Sequence, residues 1–298
     1  MKKIRLRRIG LRKILRRVAT NYLEHHVGKN AAALAYYMLF ALFPLLIFCS
    51  NLLGLLDLNV HAIVHSLEQF LPREVVGIVR AFLDHISQSS NHTLLWFSLV
   101  FSVWFPMRAV QGLMDDIRRA YGLKNPEKPL AFVLRQVVFT GIFLVSVGLT
   151  LLLSTMGKEV LEAINRLLPE GSVQVSGYLL WLWQYLRFVP AVALMFLTIG
   201  VLYAGSLDRR ARVRTILPGV FLAVFSWLLV NVGFSFYVEN FAHYSVIYGT
   251  LGAVIVLLIW LYLTALVLIL GAEFNAALQA VRAERLQEEA PQAVLAEN

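Results

Sequence analysis

Arg108 is the residue whose position most suggests chemistry, because it interrupts a run of apolar and aromatic residues that otherwise carries no charge. A charge inside a membrane-spanning segment is costly, and it usually faces a cavity or a partner. Its planar guanidinium suits phosphate and carboxylate groups, so its candidate partners are an anionic lipid headgroup and the carboxylate of Glu273. The structural alternative is a side chain that extends to the inner interface. Asp115 shares its helical face, and we interpret it as part of the same site or as a solvated helix end.

Four further polar residues within or beside apolar runs are candidate binding residues. Glu273 is either an ion or proton site or, as we expect, a helix-end carboxylate that pairs with a cytoplasmic arginine. Asn231 is expected to hydrogen-bond across helices rather than to bind a ligand. Tyr36 and Tyr37 either line a cavity or serve as packing and interfacial residues, which is their ordinary role.

Four residues are predicted to shape the helices. Pro44 removes a backbone hydrogen bond and should kink the first span. Gly249 and Gly252 open the last span, and their spacing favours close packing of helices over a hinge. Gly271 should allow a second close approach near Glu273.

The sequence predicts no catalytic residue, no metal and no cofactor. His61, His65 and Glu68 have helical spacing suited to metal ligands, but nothing else completes a site, and we favour a solvated face. No serine–histidine–aspartate arrangement or phosphate-binding glycine loop is present, which argues against ATP hydrolysis by this chain alone. The one cysteine, Cys49, cannot form an intrachain disulfide.

Six separated, mostly apolar runs position these residues, and 59% of the 298 residues are hydrophobic. A bilayer core of about 30 Å needs about 20 helical residues, and only helices suit runs of this length without alternation. We therefore predict an all-α, polytopic membrane protein with outer-face amphipathic helices in 57–93 and 158–178. The predicted spans are 30–56, 94–114, 136–157, 184–207, 214–238 and 247–273.

The net charge of +9 follows this topology rather than indicating nucleic-acid binding. Of the 27 Lys and Arg residues, 21 lie before span one, in the loops after spans two and four, or in the tail, whereas four lie on the opposite side. Because cytoplasmic segments carry the excess of Lys and Arg, both termini are predicted to be cytoplasmic.

The domains predicted are a basic amphipathic segment at 1–29, the membrane domain at 30–275 and a tail at 276–298. In the first segment an apolar stripe is predicted to lie on an anionic leaflet, although the segment also suits a plain topogenic signal; its members are Ile4, Leu11, Leu15, Val18 and Tyr22. The tail should continue span six for a few turns and then fray near Pro291. A monomer and a homo-oligomer both remain open.

Several short motifs together resemble the YihY/BrkB family of bacterial inner-membrane proteins: AALAYY at 32–37, FPLL at 43–46, RAYG at 119–122, YGTLGA at 248–253, IWLY at 259–262 and GAEFN at 271–275. The resemblance covers residues 25–280 and implies six spans in the inner membrane. Family members have carried the labels ribonuclease BN, virulence factor and lipid exporter. The ribonuclease label does not fit, because metal-dependent RNA cleavage needs clustered carboxylates or histidines.

The function expected is therefore transport or handling of an anionic lipid or solute, without an ATPase of its own, by a protein that is not an enzyme. The alternative is a non-catalytic membrane scaffold of an envelope assembly. A polar, lipid-accessible groove that reaches Arg108 would favour transport, whereas a dry, packed bundle would favour the scaffold.

Overall fold

A computed structural model describes residues 6–55, 76–77, 79–80, 92–123, 129–155, 188–207, 213–241 and 250–296. These residues are almost entirely helical and contain no strand. The helices are α1 (Leu6–Glu24), α2 (Val27–Leu55), α3 (His92–Ala120), α4 (Pro129–Thr155), α5 (Phe188–Ser206), α6 (Val213–Phe241) and α7 (Thr250–Ala296).

The predicted all-helical membrane bundle is confirmed, and each predicted span overlaps one of the helices α2 to α7. Among the described residues, five helices are long and apolar enough to cross a bilayer, namely α2, α4, α5, α6 and α7. The sixth, α3, has 29 residues, which is roughly 43 Å of helix. Its apolar character is diluted by Arg108 and by the charged residues of its last two turns.

The bundle is built around the pair α2 and α3, against which α7 packs from one side. α6 packs on α7, and α5 joins α6 to α4. The main core lies towards the ends of these helices that the sequence predicts to be cytoplasmic, which we call their inner ends, and there Leu34, Met114 and Ile269 are almost completely buried. This packing holds the inner ends of α2, α3 and α7 together.

Helix α4 shows an arrangement opposite to that of a water-soluble helix. Its apolar residues are exposed, as with Leu134 at 64% and Val145 at 62%. Its polar residues are turned inward, and the hydroxyl group of Ser146 lies 2.5 Å from the hydroxyl group of Thr198 on α5. Interhelical polar contacts with an apolar exterior are what hydrocarbon surroundings favour, so α4 is a peripheral, lipid-compatible helix.

Helix α7 is longer than the sequence predicted. It has 47 residues and continues through Pro291 instead of fraying before it. The extension is stabilised by α1, which runs antiparallel to it: Ile14 is buried against Ala277 and Val281, and Glu284 lies 2.8 Å from the ammonium group of Lys13.

The predicted apolar stripe on α1 divides between a protein contact and exposed positions, and its placement on an anionic leaflet stays a prediction. Val18 does pack against the α1–α7 contact, but Leu11 and Leu15 are more than half exposed. Ile14, which lies outside the predicted stripe, is buried instead. The reason is that the neighbouring face of α1 is covered by a protein helix, which residue spacing alone does not reveal.

A tight turn joins α1 to α2. His26 adopts a left-handed conformation, with φ of 52°, and its amide donates to the carbonyl of Leu23 at 3.2 Å. A left-handed residue is a common way to end a helix. The turn directs the chain straight into α2 and fixes the position of His25 between the two helices.

Several predictions fall outside the described residues. The outer helices expected in 57–93 and 158–178 lie almost wholly there, as do Gly249 and the pair His61 and His65. Pro44 lies within the single continuous helix α2, and Gly252 is buried.

Candidate functional site

A polar cluster around two buried carboxylates joins α1, α2, α3 and α7 at their inner ends. We call it the inner cluster, and it consists of Asn21, His25, Asn30, Asp116, Arg119 and Glu273. These residues come from both ends of the chain and are brought together by the packing of α1 and α3 around α7.

Glu273 is the centre of the inner cluster, and its side chain is only 1% exposed. The amide nitrogen of Asn21 donates to its Oε2 at 2.9 Å. The imidazole Nδ1 of His25 lies 2.6 Å from its Oε1. The prediction that this carboxylate pairs with a cytoplasmic arginine was wrong. One described partner is a histidine and the other is the amide of an asparagine, and both come from the α1 end of the chain.

Asp116 is the second carboxylate of the inner cluster, and it lies just past the predicted inner end of span two. Its Oδ1 accepts hydrogen bonds from Asn30 at 2.8 Å and from Arg119 at 3.0 Å. Burial raises its pKa to about 6, although Arg119 opposes the shift. The amide of Asn30 also donates to the carbonyl of His25 at 3.0 Å, so the two carboxylates belong to one connected network.

Arg108 does not contact Glu273. It donates to the side-chain oxygen of Gln111 at 3.1 Å, and its guanidinium carbon lies 4.9 Å from the centre of the Trp104 ring. Both partners are on α3 itself. The predicted pairing of Arg108 with Glu273 was therefore wrong, because the two residues have different partners. Arg108 is eight residues before Asp116, roughly 12 Å along the helix.

An exposed aromatic surface adjoins Arg108 where α2 meets α3. We call it the α2–α3 seam, and it consists of Tyr36, Phe40, Phe101, Trp104, Phe105 and Arg108. The rings of Phe40 and Phe105 connect the two helices at 5.5 Å, and Tyr36 continues the row at 4.6 Å from Phe40. Tyr36 is 51% exposed, whereas Tyr37 is partly buried against the core.

The two remaining candidates have different surroundings. Asp115 is partly buried, which raises its pKa, while the positive charges of Arg119 and Arg118 oppose that shift. Asn231 accepts a hydrogen bond from the indole nitrogen of Trp260 at 3.0 Å, which links α6 to α7. Asn231 is therefore placed as a residue of helix packing.

Asn275 is a fully buried residue whose importance the sequence did not reveal. Its Oδ1 accepts from the amide of Gly219 at 2.7 Å, and its Nδ2 donates to the carbonyl of Ile216 at 2.6 Å. Gly271 allows this contact, because a Cβ atom there would be 2.7 Å from the Gly219 carbonyl oxygen. The prediction of a close helix approach at Gly271 is confirmed, and α6 is the helix that approaches.

An open apolar groove of about 370 Å³ lies between α6 and α7, lined by Val230, Gly233, Phe234, Tyr237, Ile259 and Leu263. It does not reach Arg108, which is on α3. In the described part of the chain, no three His, Cys, Asp or Glu residues converge to hold a metal ion.

Sequence reasoning missed Asn21, His25 and Asn30. All three are polar residues within ten positions of each other, directly before or at the start of an apolar run. That clustering was the available signal. Its partner, Glu273, was noticed separately, but spacing cannot connect positions 248 residues apart.

The family model described as virulence factor BrkB matches residues 18–296. The chain is 29% identical to the "putative ribonuclease-like protein YfkH" of Bacillus subtilis, over 93% of this chain and 98% of that protein. It is 25% identical to a UPF0761 membrane protein of Xanthomonas campestris, over 88% of this chain and 59% of that protein. A UPF0761 membrane protein of Chlorobium chlorochromatii is 26% identical, with 86% and 57% covered. The chain thus spans about three-fifths of these last two relatives, and no solved structure matches it.

Proposed function

Because the chain belongs to the BrkB family of membrane proteins, we propose that it handles lipids: it binds an anionic lipid, or a solute with the same charged group, at the α2–α3 seam and moves it across the membrane without an ATPase of its own. The observation that carries this proposal is the position of Arg108. Its guanidinium is stacked on Trp104, which is itself 45% exposed.

The depth of Arg108 supports a lipid substrate. It lies roughly 12 Å along α3 from Asp116, so its helical position is inside the apolar layer rather than among the headgroups. One described donor bond goes to Gln111, whereas a guanidinium has five N–H groups. A phosphate could take two of these in the bidentate geometry that arginine favours.

The aromatic residues of the α2–α3 seam support the same proposal. Phe40 is 42% exposed and stacks towards Phe105, and Phe101 continues the row. These rings run from the level of Arg108 towards the outer half of the bundle. They provide an apolar track for acyl chains beside a cation for the headgroup.

The test replaces Arg108 in the full-length protein. Arg108→Lys keeps the charge and loses the fork, so it should retain phosphatidylglycerol partly, whereas Arg108→Gln should lose most of it. Native mass spectrometry measures lipid retention, and a fluorescent phosphatidylglycerol in vesicles measures transfer between leaflets. Arg214→Gln, which removes an exposed arginine at the inner end of α6, is the matched control.

Two outcomes would contradict the proposal. Wild-type retention by Arg108→Gln at wild-type yield would mean that Arg108 only extends to the inner surface. Lipid binding without any transfer between leaflets would instead favour the alternative, a non-catalytic scaffold of an envelope assembly.

We also propose that α1 contacts anionic lipids from the cytoplasmic side. Leu11 and Leu15 are exposed beside the exposed Arg12 and Arg16, which is the composition of an interfacial helix face. Each basic residue near an anionic surface contributes about 1 kcal/mol. The double variant Arg12→Gln/Arg16→Gln leaves Ile14 in place and should bind phosphatidylserine nanodiscs more weakly at low salt; unchanged binding would exclude this contact.

The proposed location is the bacterial inner membrane, with both termini in the cytoplasm, because of the distribution of Lys and Arg. Reporter fusions after Asn298 and near Ser89 test the orientation. An external C-terminus would require the opposite arrangement and would place the inner cluster on the outer side.

We propose that the protein is not an enzyme, although a Bacillus relative carries a ribonuclease-like name. RNA cleavage needs an acid and a base that reach the substrate, and the carboxylate of the His25–Glu273 pair is 1% exposed. Cleavage of a labelled RNA by the purified protein, abolished by Glu273→Gln, would overturn this view.

A further inference from the structure

Glu273 has no role in the proposed lipid site, yet it is a nearly fully buried ionisable group at the inner end of a spanning helix. Isolated buried charges are costly, and such groups either become neutral or acquire a charged partner. Ionisable residues of this kind in membrane proteins commonly mark ion or proton pathways. The question is which charge compensates Glu273.

The charged groups described near Glu273, apart from His25, lie on α3. α3 contributes Asp116 and Arg119, which pair with each other at 3.0 Å. Asp115 and Arg118 follow on the same helix, and the two arginines interact with Asp115. α2 contributes the neutral amide of Asn30. Among the described contacts, Glu273 has no ion pair with an arginine or a lysine, and its side-chain partners are Asn21 and His25.

Of the two described partners of Glu273, His25 is the one that can carry a positive charge. Nδ1 and Oε1 are 2.6 Å apart, a distance at which one proton can reside on either atom. With that proton bound the pair has no net charge, and without it the pair retains one negative charge. The imidazole is 25% exposed while the carboxylate is 1% exposed, so the histidine is the member that water can reach.

We propose that His25 and Glu273 form a proton-binding site that takes up one proton from the cytoplasm and couples its binding to lipid handling at the α2–α3 seam. The proton comes from water, and it is held between Nδ1 of His25 and Oε1 of Glu273. The coupling part of this proposal rests on the proposed function. The proton site itself does not.

The route for coupling is helix α3, which carries both Asp116 and Arg108. Asp116 reaches the pair through Asn30, whose amide bonds both to Asp116 and to the carbonyl of His25. A change of charge at the pair therefore acts on the inner end of α3. Burial raises the pKa of Asp116 to about 6, and the charge of Glu273 contributes to the rise. A negative charge on Asp116 is therefore less favourable when Glu273 is also charged.

Infrared spectroscopy of the full-length protein in nanodiscs tests the site directly, because protonated carboxyl groups have a separate carbonyl band. We expect one component of this band to change with pH in the wild type. It should disappear in Glu273→Gln. His25→Gln should alter this component, because the imidazole no longer shares the proton with the carboxylate.

Glu284→Gln is the matched control, since Glu284 also joins α7 to α1 through Lys13 and Arg17 but lies at an exposed position. It should leave the titrating component unchanged. An unchanged component in Glu273→Gln, or the same loss in Glu284→Gln, would overturn the proton site.

Lipid transfer measured at the same pH values separates the two proposals. Transfer that depends on pH in the wild type and loses that dependence in Glu273→Gln supports the coupling. Transfer that is identical in both proteins at every pH overturns the coupling and leaves the lipid function intact. Absence of transfer in every variant, with the infrared titration as expected, upholds the proton site and refutes the proposed function.

Discussion

Replacement of Asn275 should destabilise the bundle more than replacement of any single interhelical partner elsewhere. Its side chain makes two hydrogen bonds to the backbone of α6, one to the amide of Gly219 and one to the carbonyl of Ile216. Asn275 itself is 0% exposed, so both hydrogen bonds are buried. Loss of the side chain leaves both backbone groups without this partner and without water.

The magnitude follows from the number of bonds. Interhelical hydrogen bonds in membrane proteins contribute about 0.6 kcal/mol on average and up to about 1.7, so two bonds predict a loss of about 1–3 kcal/mol for Asn275→Ala. Asn275→Asp should lose more, because it replaces the donor with a carboxylate oxygen against the Ile216 carbonyl.

The assay is reversible unfolding in mixed micelles of increasing dodecyl sulfate content, followed by circular dichroism. Asn231→Ala serves as the comparison, since Asn231 makes one described bond between α6 and α7 and should cost about half as much. The reasoning is refuted if Asn275→Ala is no more destabilising than Asn231→Ala, or if Asn275→Asp is as stable as the wild type.

Three further outcomes are expected. Gly219→Ala should lower the folded yield and reduce the free energy of unfolding in micelles by about 1–3 kcal/mol, because its Cβ would collide with the α7 backbone. Gly112→Ala should be tolerated, because its Cβ would meet only a side-chain atom at 4.0 Å. Ile14→Ala should release α1 and speed its proteolysis, whereas Leu11→Ala, at a position 53% exposed, should not. Asp116→Asn should flatten the pH dependence of stability: the folded pKa of about 6 exceeds the ordinary 3.8, so the folded state binds this proton more tightly, and wild-type stability from this residue falls as pH rises through about 4 to 6. Unfolding curves at several pH values would show the opposite slope if this sign were wrong.

Most of the membrane fold could be predicted because the bilayer imposes a length and a polarity on each span. The six apolar runs correspond to α2 to α7, with ends displaced by a few residues. The second half of α7 could not be predicted in the same way. Its residues after Glu273 have mixed polarity, and their helix is held by α1, a partner from the other end of the chain.

The candidate site shows the same division. Arg108 and Glu273 were identified individually, because a charge within an apolar run is visible in the sequence. Their partners were not, since Arg108 contacts Trp104 and Gln111 on its own helix, while Glu273 contacts residues near the N-terminal end. Which residues pair across the chain depends on which helix faces touch. The periodicity of α1 predicted a different face as the apolar one, next to the face that contacts α7.

The contact between α1 and α7 also has a consequence for the order of synthesis. His25 and Glu273 are separated by 248 residues, and bacterial and other ribosomes add about 5–20 residues per second. The imidazole therefore waits about 12–50 s before its carboxylate exists. During that time α1 cannot contact α7, so it lies in water, on a chaperone or at the membrane surface. Its docking becomes possible once Glu284, the partner of Lys13 and Arg17, has left the ribosome, so the position of α1 distinguishes an early nascent chain from a late one.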